Sequence, residues 1–423
     1  MVTILAIGLI VAALSGVPLF AILGGAALLC FYSIGVDSAA VIIEMVRLAE
    51  APTLVAIPLF TFAGYMLAES KAPQRLLYFY RSWFGWIPAG LPLVCLIACA
   101  FFTAFTGASG ITIIALGGLI LPILREENFK ETFSMGLITT SGSLGLLFPP
   151  SLPLILYALV AQVRLDHLFL AGLLPGALLV VLLGLYGVWI GRKTLQEKRT
   201  FQWAFAKQSF RGAFWELLLP ILLLSAIYGG FATASEAAAL TVAYVLLVEM
   251  FVHRDLSFRR DISRIAWKSM ILVGGILVIL GCAMGFTNFL VDAQVPMQTL
   301  AWIQQYIKSP LMFLLVLNGF LLIVGCLMDI FSAIIIVVPL ILPLAKGFGI
   351  DPVHLGIIFL TNLEIGYLTP PVGLNLFVAS LRFKRPMADL YRASLPFLLV
   401  LIVGLLLITY VPVLSLGLLK FFN

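Results

Sequence analysis

Ten oxygen-bearing side chains stand where this sequence has least water to offer them. Thr106, Ser109 and Thr112 fall in one long apolar run, Ser141 and Ser143 in the next, Asp329 and Ser332 in a third, and Thr361, Asn362 and Thr369 in a fourth. Hydroxyls, a carboxamide and a carboxylate are hard ligands. They suit a monovalent cation such as Na⁺ and give no ligand set for a transition metal. Asp329 and Glu364 are the only acids in the four runs, and an acid at membrane depth is a functional candidate by default, with local pairing as the competing reading. The same runs contain no Lys or Arg. An anionic substrate held among them must therefore be balanced by bound cations and by the positive ends of half-helices. That is a physical reason for cation symport. His167, His253 and His354 sit at run ends and read as incidental loop residues. Cys30, Cys95, Cys99, Cys282 and Cys326 lie in apolar segments without a CxxC spacing and read as free packed thiols. No HExxH, DDxxD or Ser/His/Asp set occurs at membrane depth, which argues against an enzyme.

The elements that must position these residues follow from composition. The 423 residues are 62% hydrophobic and 10% charged, whereas soluble domains carry roughly 25% charged residues. Uncharged runs cover about 3–32, 53–70, 88–124, 132–163, 168–190, 213–232, 234–252, 265–290, 309–345, 353–381 and 393–418. This is the pattern of an all-α polytopic membrane protein, and its continuous runs exclude an alternating β-barrel. The net charge of +6 sits in loops, with no basic stripe for nucleic acid. Met1–Ile10 has no basic leader region and reads as a retained first helix. The first 50 residues fit one long helix or two short ones hinged at Gly16-Val17-Pro18.

Lys and Arg concentrate in 192–211, 254–268 and 382–392, with Lys71, Arg75 and Arg81 as a fourth group; the positive-inside rule puts all of them in the cytoplasm. About 20 residues cross a bilayer, but 88–124 and 309–345 each have about 37. Each carries a polar break near its centre, "TGASG" at 106–110 and "GCLMD" at 325–329. Reading both as re-entrant hairpins places every basic loop on the cytoplasmic side, the first hairpin entering from inside and the second from outside. Arg75–Trp86 and Leu256–Trp267 read as amphipathic segments along the interface, their Arg and Lys in water. Glu236, in "FATASEAAAL", reads as a helix cap.

Sliding the chain on itself by 221 residues aligns "LILP" at 119–122 with 340–343, Thr140 with Thr361, Gly145 with Gly366, and Pro149-Pro150 with Pro370-Pro371. With the charge argument, this predicts an inverted-topology repeat, a hallmark of secondary transporters. Irregular backbone at membrane depth survives only where protein or a polar cavity surrounds it. The runs 132–163 and 353–381 are therefore expected to be helices broken near the midplane, at 141–149 and 362–370, and restarted by the prolines.

"GASGITIIALGGLILPIL", "TTSGSLGLLFPPSLPLILYA", "FATASEAAAL" and "LTNLEIGYLTPPVGLNLFVAS" resemble the large membrane subunit of tripartite ATP-independent periplasmic (TRAP) transporters, over nearly the whole chain. The resemblance implies a sodium-coupled importer of small organic acids, carboxylates or sialic acid, working by an elevator movement in the bacterial inner membrane. It implies two partners: a small four-helix membrane subunit, expected as a separate chain, and a periplasmic substrate-binding protein. It implies sodium sites at hairpin tips and helix breaks, which map to Gly107, Ser109, Ser141, Gly142 and Gly145 in one half. In the other half they map to Gly325, Asp329, Asn362, Gly366 and Thr369. Thr106, Ser143, Pro149, Pro150, Pro370, Pro371 and Asn375 are expected to meet the substrate. Transport repeats are expected at 88–163 and 309–382. Scaffold and arm elements are expected at 1–87, 164–308 and 383–423. A stand-alone sodium–dicarboxylate symporter, needing no binding protein, is the alternative.

Overall fold

The computed structural model describes residues 8–9, 11–12, 15, 17–33, 35, 37, 39–86, 90–192 and 201–422. Most of the first ten residues, Gly16 of the expected hinge, and Lys193, Lys198 and Arg199 of the first basic loop lie outside them. Among the described residues every regular element is helical. Eight helices among the described residues are long and apolar enough to cross a membrane, or nine if the bent pair Glu131–Leu147 with Leu152–Ala161 is counted as one span. Leu19–Ser33 and Ala39–Ala49 are separate helices.

Both overlong runs double back. Leu91–Thr106 stops at Gly107, whose φ of +64° suits a residue without Cβ, and Ser109–Glu126 begins two residues later. The Thr103 and Thr112 hydroxyls meet at 2.7 Å across this tip, a distance that a continued helix could not allow. At the outer ends of the arms Arg81 reaches Glu126 at 3.8 Å and Glu127 at 3.9 Å. In the second hairpin Pro310–Leu327 gives way to Ile330–Gly347, capped by Asp329. Its outer ends are closed by Phe313 and Phe348, stacked with centroids 4.4 Å apart.

The two hairpins enter from opposite faces. Lys268 pairs with Glu69 at 2.6 Å, Arg125 with Glu131 at 2.6 Å, and Arg385 with Glu131 at 2.9 Å. Together with the Arg81 contacts, these gather the ends of the first hairpin and the basic loops on one face. On the other face the Tyr157 hydroxyl donates to the Pro352 carbonyl at 2.8 Å, and His354 Nδ1 lies 2.7 Å from the Ser415 hydroxyl. The packing is reciprocal: Ser109–Glu126 lies on Leu374–Phe383 of the other repeat, and Ile330–Gly347 lies on Leu152–Ala161. Leu165–Gly191 and Met387–Tyr410, which follow the two repeats, pack mainly on repeat elements rather than on the peripheral helices.

Both broken helices are present. The first runs Glu131–Ser141, a tight turn at Leu144–Leu147, then Leu152–Ala161. The second runs Pro352–Gly366, then Leu374–Phe383, so its break falls at 367–373 rather than at 362–370. The reason is that 353–365 contains no proline, and its polar residues bond back along the helix: Thr361 to the Ile357 carbonyl at 2.7 Å and Asn362 to the Ile358 carbonyl at 2.8 Å. The Pro149–Pro150 and Pro370–Pro371 bonds are both cis.

Three further expectations change. His354 is not a loop residue; it lies in the first turn of Pro352–Gly366, buried, against Ser415 and the Thr409 carbonyl. Leu256–Trp267 is not a separate interfacial segment, because a π-helical turn at Phe258–Ile262 runs straight into Ser263–Asp292. No glycine or proline lies between 257 and 273 to stop it. Arg75 is not in water. Its helix, Ala72–Phe84, is amphipathic as expected, but the guanidinium is only 15% exposed and binds Glu216 at 2.5 Å, Glu249 at 2.9 Å and Asp255. His253 stands 3.5 Å from Glu216, and burial together with the Arg75 charge lowers its pKa. Glu236 does cap its helix, in a reciprocal box with Thr233.

Candidate functional site

Each hairpin tip is seated in the break of its own repeat, and glycines make the seat. In the first repeat a Cβ on Gly107 would fall 2.7 Å from the Leu152 Cβ, and one on Gly145 would fall 2.2 Å from the Ala100 carbonyl. The Thr103 hydroxyl donates to the Gly142 carbonyl at 2.9 Å, tying hairpin to break. A Cβ on Gly142 would stand 3.3 Å from the Ser109 carbonyl. Thus Gly107, Ser109, Gly142 and Gly145 come together, with Ser141 buried beside them. In the second repeat Gly325 and Gly366 bring two helix backbones into contact. The Gly373 N–H donates to the Cys326 carbonyl at 3.3 Å, and the Ile330 N–H to the Tyr367 hydroxyl at 2.6 Å.

Buried oxygens without a donor gather on these same segments. They are Thr140 Oγ1, Ser151 Oγ, Asn362 Oδ1, both Glu364 carboxyl oxygens and Asn375 Oδ1. A buried acceptor left alone costs roughly 1–3 kcal/mol, so a concentration of them marks a place where something else supplies the partner. Glu364 aligns with Ser143 at the repeat offset, and the two side chains lie close to each other between the repeats. Asn375 crosses between the halves, its amide donating to the Thr139 carbonyl at 3.3 Å. Oxygen acceptors with no resident Lys or Arg fit a hard cation and do not fit a soft one.

Other expected residues are placed differently. The Asp329 carboxylate is exposed and turned onto its own helix start, accepting from the Phe331 and Ser332 N–H groups at 3.0 Å and from the Ser332 hydroxyl at 2.5 Å. The Thr369 hydroxyl donates to the Ile365 carbonyl at 3.0 Å. Thr106 and Ser143 make only long contacts, at 3.5 Å and 3.4 Å, to neighbouring carbonyls. The breaks are not equivalent: Pro149 and Pro150 are buried, whereas Pro370 and Pro371 are exposed. A cavity of about 340 Å³ borders Pro149, but Phe101, Phe105, Phe148 and Leu224 make its wall apolar and unsuited to an organic anion. Sequence reasoning missed Thr103 and Asn318. Asn318 is the single polar side chain of Pro310–Leu327, which is itself a usable signal, whereas Thr103 stands one turn before Thr106 on the same arm.

Residues 6–414 match the family model described as tripartite ATP-independent periplasmic transporter, DctM component. The chain is 36% identical over 377 residues to the C4-dicarboxylate TRAP transporter large permease protein DctM of Pseudomonas aeruginosa, covering 89% of this chain and 88% of that one. It is 34% identical to the protein of the same description from Rhodobacter capsulatus, covering 97% of each. Among solved structures, the Alcanivorax borkumensis YdaH transporter aligns with a TM-score of 0.65 over 89% of this chain and 88% of that one; at 15% identity this is a likeness of fold.

Proposed function

The chain belongs to the tripartite ATP-independent periplasmic transporter family as a DctM-type large permease, and from that premise we propose a sodium-coupled importer of a small organic acid. As a family member it is a multi-pass transport protein of the bacterial inner membrane and not an enzyme. The substrate class we favour is the C4-dicarboxylates, the class named for the two relatives above; sialic acid is the larger carboxylate to be compared. The partners in this reading are a small four-helix membrane subunit and a periplasmic protein that delivers substrate.

The observation that carries this reading is the grouping of unpartnered buried oxygens on the helical segments that flank the two breaks, with no Lys or Arg at 132–163 or 353–381. An empty site of this kind repels a carboxylate. Sodium held by Gly107, Ser109, Ser141, Gly142 and Gly145, and by Gly325, Asn362, Gly366 and Thr369, supplies the missing charge. Substrate then binds beside it, and an inward sodium gradient drives loading. Each hairpin is locked into its break by backbone contact, so hairpins and broken helices move as one body against the peripheral helices, in an elevator movement.

The test is uptake of labelled succinate and labelled sialic acid into proteoliposomes containing this chain and the small subunit. The binding protein is added outside, under an inward Na⁺ or K⁺ gradient. Succinate uptake is expected only with Na⁺ and only with the binding protein. Equal uptake under K⁺ removes sodium coupling. Uptake of free substrate by the large chain alone establishes the stand-alone symporter instead.

A further inference from the structure

The Asn362 side chain is held by a three-link chain of hydrogen bonds. Both of its amide N–H groups are used: one donates to the Ile358 carbonyl at 2.8 Å, the other to Asn318 Oδ1 at 2.7 Å. Asn318 in turn donates its amide to the Thr409 hydroxyl at 3.1 Å. The three residues lie on Pro352–Gly366, Pro310–Leu327 and Met387–Tyr410, and each is at least 96% buried. Rotating the Asn362 carboxamide by half a turn would set its oxygen against two acceptor oxygens, so its orientation is fixed. The group left over is Oδ1, buried and without a donor.

We infer that Asn318, supported by Thr409, is a positioning residue that holds the Asn362 oxygen free as a ligand for the coupling cation. This rests on the sodium-coupled reading above and adds to it: hairpin arm, broken helix and the helix after the second repeat jointly tune one ligand. Asn318→Leu leaves one Asn362 N–H without its acceptor, so the carboxamide can turn. Thr409→Val removes only the outer link at nearly constant shape, and Thr409→Ser restores it.

The experiment measures the Na⁺ dependence of uptake by the whole transporter in proteoliposomes. The expected result is a roughly tenfold rise in half-saturating Na⁺ for Asn318→Leu, the equivalent of one good hydrogen bond. Thr409→Val is expected to give a smaller rise, and Thr409→Ser a value near that of the unmodified protein. Selectivity for Na⁺ over Li⁺ should fall in the same order, which a merely structural role would not produce. If Asn318→Leu does not reach the membrane, the Thr409 pair decides the question by itself. Unchanged half-saturating Na⁺ in every variant recovered overturns the inference while leaving sodium coupling intact. Uptake by the unmodified protein that ignores Na⁺ overturns the reading beneath it as well.

Discussion

Arg75→Met is expected to destabilise the protein by about 3–5 kcal/mol, the range for breaking a buried ion cluster by removing one partner. The unfolding temperature in detergent should fall by several degrees, whereas Arg81→Met should leave it nearly unchanged. The contrast lies in burial. Arg81 is 26% exposed and makes only long contacts, 3.8 Å to the 67% exposed Glu126 and 3.9 Å to the 12% exposed Glu127, and loose pairs within reach of solvent are worth little. Around Arg75 the acids are 0%, 2% and 8% exposed. Without the guanidinium three carboxylates remain within a few ångströms of each other, with only Lys71 at 3.8 Å from Asp255 and His253 at 3.5 Å from Glu216 as relief. Adding Glu216→Leu and Glu249→Leu to Arg75→Met should recover most of the loss, because an apolar set avoids the desolvation cost altogether. The helix carrying Arg75 leads directly into the first hairpin. Its anchorage to Trp203–Tyr228 therefore ties the helix before the first repeat to a peripheral helix. Equal melting of Arg75→Met and Arg81→Met would show that the cluster is not an anchor.

What the sequence made readable is what lipid makes obligatory. A spanning helix must be apolar where it meets lipid, and Lys and Arg concentrate on one side. Run length, loop charge and the Gly and Pro-Pro coincidences at a fixed offset were therefore enough to place two opposed hairpins and two broken helices. The limits of the second break were harder to see. Thr361, Asn362 and Glu364 look like an unwound polar stretch, yet a helix lined by protein tolerates them when hydroxyl and amide groups bond the carbonyl one turn back. Proline and glycine mark a break better than polarity does, and Gly366 to Gly373 bounds it. Partner choice was also hidden. Nothing local says that Arg75 meets acids more than 140 positions away in sequence, or that His354 turns inward onto Ser415. Those are decisions of tertiary packing, as is the conversion of 258–262 into the start of a long helix.

Gly366→Ala is expected to abolish uptake, and Gly145→Ala to do the same from the other half. A Cβ on Gly366 would stand 2.6 Å from Gly325 Cα and C and 3.0 Å from the Cys326 nitrogen; on Gly145 it would stand 2.2 Å from the Ala100 carbonyl and 2.5 Å from the Ala104 nitrogen. These neighbours are backbone atoms of the hairpin arm and cannot turn aside as a side chain would. One methyl group must therefore push the arm off the broken helix. Overpacking of this kind costs typically about 1–3 kcal/mol and occasionally more. The functional cost is larger, because the same joint sets the oxygen positions at the tip. Gly319→Ala is the control: it lies on the same arm as Gly325, and its Cβ would meet nothing within 4 Å. It should transport normally, and all three variants should be compared by uptake at matched membrane levels. The two joints fall at the same offset that relates the prolines, so an inverted repeat predicts paired sensitivity. Normal uptake by Gly366→Ala would mean that the arm and the broken helix need not touch for transport, and the rigid joint proposed for the moving body would be lost.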